Sequence, residues 1–284
     1  MSTNKRPGGH PARAAQAEDP REARRLKAAE LRRKEVARER SRRVVVISIA
    51  VVVVLAIVAT VVILVARQRD AVNTTEGATP PGVTADDGGY VLAGTPAAGA
   101  PTLDIWLDYQ CPVCKRFEDA SGTVYPQLAA DGKAKVIVHT LSFLDANFTN
   151  DASQRAAEGA AAAAAQGKFV EYTQQVYANQ PAQEGTGYTD DELQTFAKAA
   201  GVADLPAWRA ALDEHTYAAY VRRVAATMNA QKVTGTPTVR LTKTDGTVVD
   251  IAQPTQGGDG SSEKLLDPTS GATFLTEQVA AATT

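Results

Sequence analysis

The sequence predicts an α/β domain that contains a large helical insertion and follows a single transmembrane helix. Three observations support this fold class. An uncharged apolar run of 23 residues lies at Val44–Ala66. A strand, a helix and a second strand then follow one another between residues 103 and 141, which is the order of a right-handed parallel βαβ unit. Helical patterns fill residues 151–231, and two β runs come after them.

Residues 1–43 form a basic segment with 14 Lys or Arg and 6 Asp or Glu, whereas the rest of the chain carries 16 and 26. Positive charge beside a membrane helix keeps a segment on the cytoplasmic side, so we expect this one in the cytoplasm. Such a segment also attracts acidic lipid head groups or nucleic acid. A solvated segment that only orients the anchor is the simpler interpretation, and we expect no nucleic-acid partner.

The apolar run Val44–Ala66 is long enough to cross a bilayer. At about 1.5 Å per residue a helix of this length reaches about 34 Å, against a hydrocarbon core of about 30 Å. A buried helix of a soluble domain and a cleaved signal peptide are the alternatives. A signal peptide would have a shorter apolar region and a small-residue cleavage site, but Arg67 and Arg69 follow directly here. We therefore expect an uncleaved single-pass anchor in the cell membrane, with the rest of the chain outside the cytoplasm, where disulfides persist.

Residues 67–101 are rich in Thr, Gly, Pro and Ala and are predicted to be an extracytoplasmic linker. Within them, Tyr90-Val91-Leu92 has the pattern of a short edge strand. The domain is expected over residues 102–284. It opens with the βαβ unit, whose strands, Leu103–Leu107 and Lys135–Leu141, are separated by a helix from Pro112 to about Ala130 that kinks near Ser121-Gly122 or before Pro126.

The helical insertion is expected over about residues 146–231. Thr189 and Glu192 form a capping-box pattern, and a longer helix is predicted at Thr216–Gln231. Asp245-Gly246 is a hairpin signal between two β runs. These runs and the terminal helix are predicted at Thr238–Thr242, Thr247–Ile251 and Gly271–Ala282.

The only two cysteines of the chain, Cys111 and Cys114, lie between the first strand and its helix. The unpaired amides at a helix N-terminus favour an anion, so the pKa of Cys111 should fall below its usual value of about 8.5. Lys115 and Arg116 would add to this effect. Pro112 suits the first helical turn. Because Cys114 lies one turn further in, it should be more buried and keep its proton, which predicts an attacking and a resolving cysteine that together form a redox-active disulfide.

Three other interpretations of this pair compete with redox chemistry. A structural disulfide across two residues would contribute roughly 2 kcal/mol, less than the about 3 kcal/mol of a 15-residue loop. A structural zinc site needs four ligands, and the chain offers only His10, His139 and His215 besides this pair. The third is a pair of inert core thiols. We favour the redox-active dithiol and expect neither a metal nor a cofactor, because the cysteines carry the electrons.

Three motifs together resemble a known family. They are Asp108–Cys114, then Ala178–Pro181 with Gly187–Leu193, then Gly235–Thr238. With the helical insertion, they are similar to those of the DsbA-like thioredoxin-fold oxidoreductases, in particular the membrane-anchored actinobacterial type. The resemblance covers about residues 102–284.

The resemblance implies roles for four residues. Cys111 would be the nucleophile and Cys114 its partner. Pro237 would follow a cis peptide bond and face the cysteines, and Thr236 would offer backbone hydrogen bonds to an extended client; the sequence alone would leave an ordinary trans bond as the default. The implied partners are secreted or cell-envelope proteins with cysteines, and a quinone-linked membrane oxidase of the DsbB or vitamin K epoxide reductase type.

Two residues depart from the family's best-known oxidase. Val113 stands where that oxidase has a thiolate-stabilising His, which predicts a less oxidising protein. Asp108 would relay protons to Cys114, or raise the pKa of Cys111 by like-charge repulsion, or be an exposed strand-end carboxylate without a role. An extracytoplasmic reductase or isomerase, for example in cytochrome c maturation, is therefore an alternative. A non-catalytic thioredoxin-fold binding module is another.

Overall fold

The computed structural model of the protein describes residues 77–253 and 261–283. The predicted basic segment at 1–43 and the predicted membrane helix at 44–66 lie outside the described residues. Among the helices that are described, none is both long and apolar enough to cross a membrane.

Five strands form one mixed sheet in the order β1-β3-β2-β4-β5. β2 and β3 are parallel, and every other neighbouring pair is antiparallel. The strands are β1 (Tyr90–Val91), β2 (Thr102–Asp108), β3 (Lys135–Leu141), β4 (Thr238–Thr242) and β5 (Val248–Ala252).

Within residues 77–253 and 261–283, the helices fall into three groups. Two connect β2 to β3, six lie between β3 and β4 and form the helical insertion, and two follow β5. They are α1 (Pro112–Ser121), α2 (Val124–Ala130), α3 (Asp145–Phe148), α4 (Ala152–Ala164), α5 (Phe169–Ala178), α6 (Asp190–Ala199), α7 (Leu205–Asp213), α8 (Ala218–Ala226), α9 (Ser261–Leu265) and α10 (Gly271–Ala281).

The predicted βαβ unit is confirmed, and it determines where the cysteines lie. Leu103, Ile105 and Leu107 alternate along β2 and are fully buried, as period-two patterning requires. β2 has β3 on one side and β4 on the other, so it runs through the middle of the sheet. Asp108 is the last residue of this central strand, so the following loop and α1 begin at the carboxyl end of β2, in the middle of the sheet.

The helix expected from Pro112 to about Ala130 is two helices, broken where the kink was predicted. Gly122 follows α1, and its N–H donates to the Glu118 carbonyl. A Cβ at this position would lie 2.5 Å from both the carbonyl oxygen and Oε2 of Glu118, so only glycine fits. The predicted helix Thr216–Gln231 is too long at both ends. Left-handed backbone at His215 (φ 53°) precedes α8, and turns replace the helix after Ala226.

The folded unit begins inside the segment predicted to be a linker. In β1, Tyr90 pairs with Val138 of β3. The Tyr90 ring stacks on Phe169 of α5 with 3.9 Å between centroids, and the Tyr220 hydroxyl donates to the Gly88 carbonyl. Residues before Thr102 therefore pack on both the sheet and the helical insertion.

Candidate active site

The loop after β2 and the first turn of α1 position the two cysteines. Cys111 is the N-cap residue of α1, with extended backbone (φ −76°, ψ 117°), and Pro112 is the first helical residue. The Cys111 carbonyl accepts the first helical hydrogen bond from Lys115 N at 3.2 Å. Cys111 keeps 6% of its surface exposed, whereas Cys114 is fully buried. Both are free thiols, so the structure represents the reduced pair.

The pKa of Cys111 is lowered to about 6. The hydrogen bond from the Cys114 thiol is the largest cause; burial opposes it, while the Thr236 side chain and the backbone amides of Cys114 and Val113 act with it. The expected lowering is therefore present, but the neighbouring thiol contributes more than the helix amides. Lys115 and Arg116 are directed elsewhere, with Lys115 paired to Asp119 at 2.8 Å and Arg116 to Glu263 at 3.4 Å.

Burial raises the pKa of Cys114 well above its usual value, and the adjacent Cys111 raises it further. At neutral pH the pair therefore combines a thiolate at Cys111 with a thiol at Cys114. This is the asymmetry that an attacking and a resolving cysteine require.

The segment Thr236-Pro237 lies against the nucleophile, 125 residues away in sequence. The Cys111 thiol donates to the Thr236 carbonyl oxygen at 3.3 Å. The Thr236–Pro237 peptide bond is cis, as the resemblance implied. The sheet explains the placement, because Trp106 near the end of β2 pairs with Thr238 at the start of β4. Of the two residues between the cysteines, Pro112 is exposed and Val113 is half-buried.

Asp108 is fully buried, so the interpretation of an exposed strand-end carboxylate is wrong. Its carboxylate accepts hydrogen bonds from Gln110 N at 3.0 Å, from Leu144 N at 3.2 Å and from the Ser153 hydroxyl. Burial raises the pKa of Asp108 to about 7, although these three hydrogen bonds partly offset the effect. The backbone N–H of Asp108 donates a hydrogen bond to the Cys114 sulfur.

Glu118 is a second buried acid that sequence reasoning missed. Burial raises its pKa to about 8. The Tyr125 hydroxyl donates to Oε1 at 3.0 Å, while Oε2 is buried without a hydrogen-bond partner. Glu118 lies four residues after Cys114 in α1, and residues so spaced share a helix face. That spacing from a cysteine expected to be buried is the signal that could have identified it.

Gln180 and Tyr188, both half-buried, contact the active-site loop from the helical insertion. Gln180 Nε2 donates to the Tyr109 carbonyl at 2.8 Å and to the Cys111 carbonyl at 3.1 Å. The Tyr188 hydroxyl donates to the same Tyr109 carbonyl at 2.8 Å. Both residues belong to motifs that carry the family resemblance, but no local pattern indicates contacts across about 70 residues.

Comparison with known proteins agrees with this architecture. The thioredoxin family model matches residues 86–256, which is more than half of the chain. No curated protein matches it.

Several solved structures share the fold over nearly their whole length. The MdbA protein from Actinomyces oris, described as a thiol-disulfide oxidoreductase, is 24% identical, covers 73% of this chain and 93% of its own, and superposes with a TM-score of 0.56. MdbA from Corynebacterium diphtheriae, described likewise, is 19% identical over 74% and 98%, with a TM-score of 0.52. DsbA from Mycobacterium tuberculosis is 20% identical over 71% and 91%, with a TM-score of 0.49. The family model and the two MdbA structures thus confirm the expected thioredoxin-like fold.

Proposed function

This chain belongs to the thioredoxin family, and from that premise we propose that it is a thiol–disulfide oxidoreductase acting through Cys111 and Cys114. The observation that carries the proposal is the asymmetry of the pair. One thiol has a pKa lowered to about 6, keeps a small exposed area and lies beside Thr236-Pro237, while the other is fully buried and protonated. Neither a structural disulfide nor an inert pair of core thiols needs this difference.

In the oxidising direction the reaction starts from a Cys111–Cys114 disulfide. A client thiolate attacks Cys111 Sγ, the bond between the two sulfurs breaks, and Cys114 leaves as a thiolate that takes up a proton. A second client thiolate then attacks the client sulfur of the mixed disulfide and expels Cys111. Two electrons pass from the client dithiol to the protein pair. Cys111 is a good leaving group because its pKa is low.

Thr236 and Pro237 would hold the client during this exchange. The Thr236 carbonyl oxygen lies 3.3 Å from the Cys111 sulfur, so the backbone at Thr236 lies within reach of a chain bonded to that sulfur. An extended client segment would pair with this backbone as an added strand does. Val113, half-buried between the cysteines, would tune the thiolate without supplying charge.

The proposed location rests on the sequence. The uncharged run Val44–Ala66 with a basic segment before it supports a single-pass membrane anchor whose catalytic domain lies outside the cytoplasm. Clients would then be secreted or cell-envelope proteins with cysteines. A quinone-linked membrane oxidase of the DsbB or vitamin K epoxide reductase type would reoxidise the pair.

A second candidate is a reductase or isomerase, for example in cytochrome c maturation. The pKa of Cys111, about 6, favours it, since this value lies closer to the about 7 of thioredoxin than to the about 3.5 of DsbA. A less stable thiolate makes the disulfide less oxidising, as Val113 also suggests. We retain oxidative folding as the main proposal because the expected compartment is oxidising.

The reduction potential decides between these directions. The purified full-length protein would be equilibrated in glutathione buffers, and the reduced fraction measured by thiol alkylation and mass. A potential near about −120 mV would indicate an oxidase, and one near about −270 mV a reductase. A pair that never forms a disulfide in these buffers would refute both.

Trapping of clients tests the proposal against a non-catalytic binding module. A Cys114→Ser variant keeps the nucleophile but lacks the resolving sulfur, so clients should accumulate as mixed disulfides that reducing agent releases. A Cys111→Ser, Cys114→Ser variant is the matched control and should trap none. If the double variant still complements a deletion strain, redox exchange is not the function.

A further inference from the structure

We propose that Gln180 is a positioning residue that keeps Cys111 reactive by tying the active-site loop to the helical insertion. The inference deepens the proposed function and rests on it only for its biological meaning. The contacts themselves are those of Gln180 Nε2 with the carbonyl oxygens of Tyr109, at 2.8 Å, and Cys111, at 3.1 Å.

The placement of Gln180 makes this contact a link between two parts of the fold. Gln180 comes two residues after the end of α5, in the insertion, whereas Tyr109 and Cys111 belong to the loop after β2. One carboxamide nitrogen has two N–H groups, so it can satisfy both carbonyls at once. Those carbonyls flank Gln110, and holding both fixes the backbone on each side of it.

The opposite side of the loop is held through the side chain of Gln110. Gln110 Nε2 donates to Asp145 Oδ1 at 2.8 Å, and to Asn150 Oδ1 and Ser153 Oγ at 2.9 Å each. This second set of contacts holds Gln110 but does not reach the nucleophile. Gln180 is the insertion residue that bonds the Cys111 peptide unit itself.

The Cys111 backbone matters because the thiolate depends on nearby donors. The N-cap geometry of Cys111 aims its sulfur at the amides of Val113 and Cys114 and at the Cys114 thiol, all of which lower its pKa. The Cys111 carbonyl also accepts from Lys115 N, a longer contact at 3.2 Å. Without Gln180, the Cys111 carbonyl keeps the longer bond from Lys115 N but loses the shorter one, so the N-cap backbone shifts and the sulfur moves away from these donors. The Gln180 N–H dipoles, which also favour a nearby anion, are lost as well.

Titration of Cys111 tests this directly. The reduced full-length protein would be titrated by thiolate ultraviolet absorbance and by the pH dependence of alkylation. Gln180→Ala should raise the pKa of Cys111 by about half a unit, or about threefold in the thiolate-to-thiol ratio, the size expected for loss of one hydrogen bond. The reduction potential should fall by about 15 mV, which is the same threefold change expressed for a two-electron couple.

Two matched variants isolate the contact. Asn179→Ala alters the neighbouring exposed residue, whose amide bonds only to Gln175 of its own helix among the described residues, and should leave the pKa of Cys111 unchanged. Tyr188→Phe removes the other donor to the Tyr109 carbonyl and should shift the pKa of Cys111 less than Gln180→Ala does. Gln180→Glu should shift it more, because a carboxylate cannot donate and repels the thiolate.

The outcomes separate positioning from packing. If Gln180→Ala and Gln180→Glu lower the unfolding temperature while the pKa of Cys111 stays at the wild-type value, the proposal is overturned. An equal shift in Tyr188→Phe would also overturn it, since that variant leaves the bond to the Cys111 carbonyl intact. If Gln180→Ala does not fold, Gln180→Met, which keeps the length of the side chain without a donor or a charge, decides by the same titration. No client is needed, so failure of client trapping would reject the proposed function and leave this result standing.

Discussion

The two sides of the Cys-Pro-Val-Cys motif have opposite environments. On the outer side, Cys111 faces the Thr236 carbonyl, and neighbouring donors lower its pKa to about 6. On the inner side, Cys114 is buried beside Asp108, Glu118 is buried one turn further along α1, and burial raises the pKa of all three. A single helical turn thus separates the site at Cys111, which stabilises negative charge, from the site at Cys114, which disfavours it.

The two inner acids also differ from each other. The Asp108 carboxylate accepts hydrogen bonds from two backbone N–H groups and the Ser153 hydroxyl. Glu118 has the Tyr125 hydroxyl on one oxygen and no partner on the other. The protein therefore replaces water more fully around Asp108 than around Glu118, and burial raises the pKa of both acids, to about 7 for Asp108 and about 8 for Glu118.

The largest expected effect is the difference between replacing Cys111 by serine and replacing Cys114 by serine. Cys111→Ser should reduce disulfide exchange by at least about a hundredfold, because only a thiolate attacks a disulfide at a useful rate. Cys114→Ser should instead keep alkylation of Cys111 close to wild type, since a serine hydroxyl can still donate to the Cys111 sulfur. Mass spectrometry after brief alkylation measures this. Equal loss of reactivity in both variants would contradict the assigned asymmetry.

Glu118→Gln should stabilise the protein at alkaline pH. The folded state retains a proton on Glu118 up to about pH 8, whereas the unfolded chain loses it near pH 4.5. Wild-type stability therefore falls as pH rises through this window. Glutamine resembles the protonated acid, so the variant should match wild type near pH 4 and exceed it at pH 8 by on the order of 3 kcal/mol.

Denaturant unfolding at both pH values measures that difference. Glu171→Gln offers a matched control on the surface, since this carboxylate is half exposed and paired with Lys168. The control should show little change at either pH. A stability gain for Glu118→Gln that is the same at pH 4 and pH 8 would mean that packing, not the buried charge, is responsible.

The titration of Cys111 gives a smaller effect with a defined midpoint. With a pKa of about 6, its thiolate fraction falls from about nine-tenths at pH 7 to about one-tenth at pH 5, so alkylation should slow about tenfold. Cys114 should stay unmodified throughout in the folded protein. A midpoint near the ordinary thiol value of about 8.5 would show that the outer side does not stabilise the anion.

Local signals explain which parts of this structure could be predicted. The strands β2 and β3 and the Thr189–Glu192 capping box each depend on residues a few positions apart, and all three are confirmed. The helix at Thr216–Gln231 was overestimated because apolar spacing continues past Ala226, while the backbone turns there. The domain begins earlier than predicted, because Tyr90 packs on Phe169 although the segment around Tyr90 has the composition of a linker.

The site was predictable only in part, for the same reason. The cysteine pair and its asymmetry follow from a motif of four residues. The proximity of Thr236 to Cys111 came from family resemblance, because the two are 125 residues apart. The Gln180 contact and the burial of Asp108 depend on how the insertion folds back over the loop, and Ser153, which donates to Asp108, comes from that insertion.

Asp108→Asn should share the direction of pH dependence of Glu118→Gln but begin from a small deficit at pH 4. Near pH 4 the Asp108 carboxyl group of the folded wild type is mostly protonated, and its Oδ2 accepts a hydrogen bond from Leu144 N–H. Asparagine would place an NH₂ group against that N–H donor. One lost hydrogen bond should destabilise the variant by about 1 kcal/mol. The folded pKa of about 7 exceeds the unfolded value of 3.8, so wild-type stability falls as pH rises between those values, and the deficit of the variant should shrink and then reverse by pH 8. The same unfolding series measures both acids, and a deficit that grows with pH would show that the folded protein favours an ionised Asp108.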